Sequence, residues 1–361
     1  MTNWTRIRQT ARLGDVNPFT SGETGPRNRL RRVGAFGAGA LLLALAACSE
    51  NAPQDTMEPA GPVSRKILHL SEPVFLIAGI VFVLVQGLVI FAVIKFRDRP
   101  DRPRPEPEQI HGNTKLEVGW TLIPALILFS IAIPTIKTIF DLSHKPENAL
   151  QVTVIGHQFW WEYQYTDLGI TTANELSIPA GVPVELTLKS VDVIHSYWIP
   201  PLAGKTDVIP GRENHMSFQA DRPGTYLGQC TEFCGLSHAN MRARAIAYSQ
   251  SDFDTWVARE KTAVKAPVDG SDAAKGLALF NGKGCAGCHT VEGVSQGKVG
   301  PNLTHLQSRS TFAGSMFALN EDNLRTWLED PPGVKPGSVM PDLGLTGEEI
   351  TQLIAYLETL Q

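Results

Sequence analysis

The chain has 361 residues, enough for two or three domains. Its formal net charge of −4 is small for that length and argues against nucleic acid as a partner. Apolar residues gather in three runs ahead of residue 141, so a near-neutral average hides a division into apolar and water-soluble parts.

Residues 1–26 are polar and carry no clear pattern. Arg27, Arg29, Arg31 and Arg32 precede Val33 to Ala47, an apolar stretch of about 15 residues, too short for a stable span. Leu45-Ala-Ala-Cys48 resembles a bacterial lipobox, which implies that 1–48 is a signal peptide and that Cys48 is lipidated. Ordinary cleavage at a nearby Ala-x-Ala site is the alternative. Residues 49–73 read as a tether. Val74 to Phe96 is long and apolar enough to cross a bilayer, and so is Trp120 to Phe140 within 117–141. Pro124 and Pro134 are tolerated there because neighbouring groups satisfy the freed backbone. The basic loop between the spans, residues 97–116, is expected on the cytoplasmic side, so both outer ends of the hairpin face the periplasm. Glu117 stands at a membrane boundary, either as a functional carboxylate or as a charge complementing a helix N-terminus.

Residues 149–258 show short alternating segments (151–155, 184–188 and 216–220) separated by turn residues, the pattern of a β-sandwich or barrel. Within them, Cys230-Thr-Glu-Phe-Cys234-Gly-Leu-Ser-His238-Ala-Asn-Met241 packs two thiols, an imidazole and a thioether into one segment. A thioether suits copper and not zinc, and two cysteines able to bridge suggest a binuclear copper centre. His195, in Val-Ile-His-Ser-Tyr-Trp-Ile-Pro, supplies a second imidazole. A zinc knuckle or a Cys230–Cys234 disulfide would use neither Met241 nor His195.

These motifs, with Lys205-Thr-Asp-Val-Ile-Pro-Gly-Arg212 and Gly156-His-Gln-Phe-Trp-Trp-Glu-Tyr163, resemble subunit II of cytochrome c oxidase from about Ser64 to about Ala258. The resemblance implies a cupredoxin-like all-β domain holding dinuclear copper A, with His195, Cys230, Cys234, His238 and Met241 as side-chain ligands. Glu232 matches the residue whose carbonyl binds copper and whose carboxylate reaches magnesium at the subunit I interface. Glu117 matches the glutamate at the mouth of a proton-uptake pathway. Phe159 stands where the family commonly has a tryptophan through which electrons come in, and Trp160 and Trp161 beside it are further candidates. Strand alternation lets only one of those two tryptophans face a sandwich core.

Residues 259–271 read as a linker and 272–361 as a small helical domain. Asp272 to Phe280 is expected to open a helix with an acidic cap, Asn323 to Glu329 to form a second, and Thr346 to Leu357 to start a third with a capping box. Cys285-Ala-Gly-Cys288-His289 is a covalent c-type haem attachment motif, with His289 as iron ligand. Together with Gly300-Pro-Asn-Leu303 the segment resembles an all-α class I cytochrome c, which implies Met340 as the sixth ligand; Met316 is the competing candidate.

The expected protein is therefore multidomain: a two-helix transmembrane hairpin, a copper domain and a fused haem c domain in the bacterial inner membrane. The resemblance implies the electron-entry subunit of a proton-pumping oxidase, partnered by subunit I, subunit III and a periplasmic donor such as a cytochrome c or a bc-type complex. Neither span carries a histidine, so oxygen reduction belongs to subunit I. A free-standing copper and haem carrier for another acceptor would not need the hairpin. Nitrous oxide reductase would need a histidine-rich domain that nine scattered histidines do not build. A quinol oxidase subunit II shares the fold but lacks the copper ligands.

Overall fold

The computed structural model describes residues 52–97, 108–109 and 111–361; Cys48, the arginine-rich leader and the basic stretch 98–107 lie outside the described residues. Helix α1, Pro62–Phe96, has 35 residues. At 1.5 Å per residue it is roughly 50 Å long, against about 30 Å of hydrocarbon. The expected tether to residue 73 is thus corrected: it turns helical at Pro62. Hydropathy registers apolar length and misses the signals that start this helix. Pro62 occupies the first turn, where its missing N–H costs nothing. The Ser64 hydroxyl accepts from the Gly61 N–H at 3.3 Å and donates to the Pro201 carbonyl at 2.7 Å. Arg65 pairs with Asp221, so the first turn is fastened to the β-domain.

Helix α2, Thr114–Ser143, is capped by Asn113, whose side chain accepts from the N–H groups of Lys115 and Leu116. Both helices are long and apolar enough to span a membrane. Their large apolar side chains, Phe82, Val83, Leu126 and Phe129 among them, are exposed, as lipid-facing or subunit-facing surfaces are.

Ten strands follow: β1 Leu150–His157, β2 Trp160–Tyr165, β3 Ile170–Ala173, β4 Glu175–Pro179, β5 Val184–Ser190, β6 His195–Trp198, β7 Thr206–Val208, β8 Asn214–Phe218, β9 Gly224–Cys230 and β10 Arg242–Tyr248. They form two five-stranded sheets, ordered β3-β2-β1-β5-β8 and β4-β10-β9-β6-β7, with β1 parallel to β5 and β10 parallel to β4. Alternation along β1 sends Val152 and Val154 into the core, where they meet Trp161, Tyr163, Leu186 and Leu188. Helix α3, Gln250–Glu260, continues two residues past the expected domain end and buries Phe253 and Trp256 against the sandwich.

The last domain is built from α4 Asp272–Gly282, α5 Cys285–Cys288, α6 Glu321–Glu329, α7 Pro331–Val334 and α8 Gly347–Leu357, with two short hairpins between them. The cap of α4 is Ser271 and not Asp272: the Ser271 hydroxyl accepts from the Ala274 N–H, and Asp272 sits in the first turn. A small hydroxyl reaches back to that amide from an extended residue, which a residue already helical does not do. Thr346 and Glu349 form the capping box of α8. Helices α4 and α8 meet at Gly276, where a Cβ would stand 2.8 Å from that of Tyr356. Phe280, Leu324, Leu328, Ile350, Leu353 and Ile354 close this second core.

Candidate metal and haem centres

One end of the sandwich gathers every residue of the soft-ligand motif. His195 opens β6 and Cys230 closes β9, and the two strands pair antiparallel, with Tyr197 opposite Cys230. The chain then loops out and returns at Met241, whose carbonyl accepts from the Cys230 N–H at 2.9 Å, so the loop is closed at its base. The ligand atoms of His195, Cys230 and Cys234 lie within 4.8 Å of one another. The two sulfurs are 3.9 Å apart, and His195 Nδ1 is 3.9 Å from Cys230 Sγ. His238 Nδ1 is 3.6 Å and Met241 Sδ 3.9 Å from Cys234 Sγ. The Glu232 carbonyl lies 3.3 Å from Cys230 Sγ, while its carboxylate is exposed and joins no group of three ligand side chains among the described residues.

His195 and Met241 are fully buried, Cys230 and Cys234 nearly so. Cys230 is held well below the usual thiol range by the hydrogen bond from Cys234 and by His195, against its burial. Cys234 is pushed up by the Cys230 thiolate beside it and by burial. A cation bound between the two sulfurs would displace their protons. Asp192 accepts from His195 Nε2 at 2.8 Å, which leaves Nδ1 to face the sulfurs. Burial opposes the charge on Asp192, yet His195 and the backbone N–H groups of Val193 and Gln158 outweigh it and hold its carboxyl below the usual range. Buried, soft and free of disulfides, this cage fits copper.

The last domain encloses a cavity of about 510 Å³ lined by Cys285, Cys288, His289 and Met340. His289 Nδ1 donates to the Pro301 carbonyl at 2.8 Å, and a Cβ at Gly300 would fall 2.5 Å from the imidazole Cε1. That packing leaves Nε2 as the free nitrogen, and burial lowers the ring's proton affinity, the direction an iron ligand needs. Met340 Sδ accepts from Trp327 Nε1 at 3.2 Å. Met316 does not line the cavity, which leaves Met340 as the thioether facing it with His289. The shape and apolar lining fit a macrocycle.

The β-domain supplies part of this cavity's wall through His157, Gln158, Phe159 and Trp160. Phe159 and Trp160 are buried there, and Trp160 stacks on His157 with ring centroids 4.0 Å apart. Trp161 points the opposite way, into the core, with its ring centroid 5.8 Å from that of His195. Gln158 donates its amide to the Cys234 carbonyl. Glu117 stands in the first turn of α2, exposed, and accepts from the Asn113 N–H at 3.2 Å. That contact belongs to the start of the helix.

Sequence reasoning missed Asp192, Gln158 and Lys335. Asp192 had a signal, since it precedes a ligand histidine by three residues in a turn. Lys335, five residues ahead of Met340, reads in sequence as a surface lysine, yet it is buried and its amine is pushed down to about 7.

Three family models match: cytochrome c oxidase subunit II, transmembrane domain, over residues 50–138; cytochrome c oxidase subunit II, periplasmic domain, over 169–247; and cytochrome c, over 273–361. The chain is 36% identical to "Cytochrome c oxidase subunit 2" of Alkalihalophilus pseudofirmus, covering 89% of this chain and 95% of that one. It is 33% identical to the protein of the same name from Bacillus subtilis, over 85% of this chain and 91% of that one. "Quinol oxidase subunit 2" of Bacillus cereus is 32% identical over 63% of this chain and 80% of its own length.

Proposed function

Because the chain belongs to the cytochrome c oxidase subunit II family, as a component of an oxidase complex with a cytochrome c domain attached, we propose that it carries electrons from a periplasmic donor, through its haem domain and copper cage, to an oxygen-reducing subunit I. One observation carries this reading: His195, His238 and Met241 converge on the Cys230–Cys234 pair, and the five groups, from two strands and one loop, meet at 3.6–3.9 Å. Copper in the cage and haem in the cavity would supply reversible one-electron chemistry.

The residues divide the remaining work. Cys230 and Cys234 would hold the copper through their sulfurs. His195, His238, Met241 and the Glu232 carbonyl would complete the ligand set. The two paired strands and the closed loop hold these groups still, which keeps reorganisation small when charge changes. Cys285 and Cys288 would hold the haem covalently, and His289 and Met340 would bind its iron. Phe159 and Trp160 line the cavity, and Trp161 packs beside His195. Glu232 would reach magnesium, and Glu117 would stand at proton uptake. We place the copper and haem domains in the periplasm from the basic loop, with Cys48 as a lipid anchor and subunit III as a further partner.

A quinol oxidase reading has relatives to support it but leaves the ligand cluster without a role. The test is paramagnetic resonance of the purified, copper-loaded protein. An electron shared by two copper nuclei gives more hyperfine lines than a lone copper. Cys234→Ser is expected to abolish that pattern; its survival, or a lone-copper pattern in the parent protein, would refute the dinuclear assignment.

A further inference from the structure

The haem domain does not merely hang from a linker. Residues 53–361 form one compact unit, and polar contacts cross between the two soluble domains. Glu175, at the start of β4, accepts from the Ser310 N–H at 3.0 Å, the Ser310 hydroxyl at 2.6 Å and the Thr311 hydroxyl at 2.5 Å. Arg309 donates to Thr172 at 3.2 Å, and its charge faces Glu175 and Glu260. Lys335 Nζ donates to the Phe159 carbonyl and to the Ala313 carbonyl, each at 2.7 Å. Ser237, between two cage ligands, donates to the Pro336 carbonyl at 2.6 Å. Glu175, Arg309 and Lys335 are exposed by only 4%, 7% and 3%.

Charged side chains that deep are tolerated only in one arrangement. A small slide of one domain over the other would strip Glu175 of its donors, Arg309 of Thr172 and Lys335 of the Phe159 carbonyl. Such a seam specifies position more than it adds affinity; the short linker supplies the affinity through high effective concentration. The contacts also fall in an informative place. The loop carrying Met340 touches the cage loop at Ser237 and the Phe159 loop through Lys335.

We infer that this buried polar seam clamps the haem domain in one docked position over the copper cage, and that Lys335 is its positioning residue, aligning the Met340 loop with the Phe159 loop for electron transfer. The inference rests on the electron-carrier reading above. It also means that a soluble donor meets the haem domain and not the covered Phe159 face.

The test uses the assembled oxidase, with the haem photoreduced and electron arrival followed at the copper absorption band. Parent protein is expected to show a single phase, equal at low and high salt, because buried contacts are little screened. Lys335→Met is expected to slow arrival roughly tenfold and split it into several phases, the population effect of one lost buried donor. Its copper spectrum is expected to stay unchanged. Glu175→Gln keeps the shape, weakens the seam from its far end, and is expected to slow arrival in the same way. If Lys335→Met does not assemble, Glu175→Gln and Ser237→Ala decide alone. Parent-like rates in the assembled variants, or a parent rate that falls with salt, would overturn the clamp while leaving the carrier reading intact. A parent complex in which haem is reduced and copper never is would overturn both.

Discussion

Asp192 holds no copper, yet its removal is expected to weaken copper binding measurably. Its Oδ1 accepts from His195 Nε2 at 2.8 Å and from the Val193 N–H at 2.6 Å, and its Oδ2 accepts from the Gln158 N–H at 2.6 Å. Asp192→Ala would free the imidazole to rotate, and would release the backbone at Gln158, whose side chain bonds the Cys234 carbonyl. Partners of this kind are worth about 10–100-fold in metal affinity, or roughly 1.4–2.7 kcal/mol. The aspartate side chain is 27% exposed, so water replaces part of what is lost and the lower end of that range is expected. Asp192→Asn keeps an acceptor for His195 and is expected to lose less. Chelator competition on the full-length protein gives the affinities, and the hyperfine pattern reports the geometry. Equal affinity and an unchanged pattern in Asp192→Ala would refute the claim that the cage depends on its outer hydrogen bonds.

Met340→Ala is expected to lower the haem potential or open the iron to added ligands, as loss of a thioether opposite an imidazole does; an unchanged spectrum and potential would remove Met340 as ligand. Gly276→Ala would drive a Cβ against the Gln352 backbone and Tyr356, and is expected to cost the haem domain about 1–3 kcal/mol, read as a lower thermal midpoint of haem-domain unfolding. Glu117→Gln is expected to slow oxygen reduction in the assembled complex with copper spectra unchanged; normal turnover would leave Glu117 only its place at the start of α2.

The ligand motifs were legible in sequence because soft ligands at short spacing leave few chemical alternatives. The sandwich was legible because alternation survives in strands with one face on a core, as in β1. Helix starts fared worse. The true cap of α4 is one residue earlier than its acidic residue suggested, and α1 begins in a polar segment that no hydropathy window registers. The seam was illegible altogether. Glu175, Arg309 and Lys335 are charged residues that composition assigns to the surface, and only the partner domain makes them interior. Ordinary side-chain patterns encode how each domain buries itself; they carry almost no trace of which polar surface another domain will cover.

The Trp160-Trp161 pair brings both kinds of burial into one strand. Alternation along β2 puts Trp161 in the core, packed edge-on to Tyr197 at 5.0 Å between ring centroids and close to His195. The same alternation turns Trp160 outward, where an isolated sandwich would leave a large apolar ring in water. Here that ring is only 9% exposed, because it stacks on His157 and forms part of the haem cavity's wall. Covering it contributes roughly 25 cal/mol per Å² of apolar surface removed from water. The outward tryptophan therefore complements the polar seam: apolar contact stabilises docking, and Glu175, Arg309 and Lys335 fix where docking happens. Phe159, next to Trp160 in sequence, is buried at the same contact, where its carbonyl accepts from Lys335.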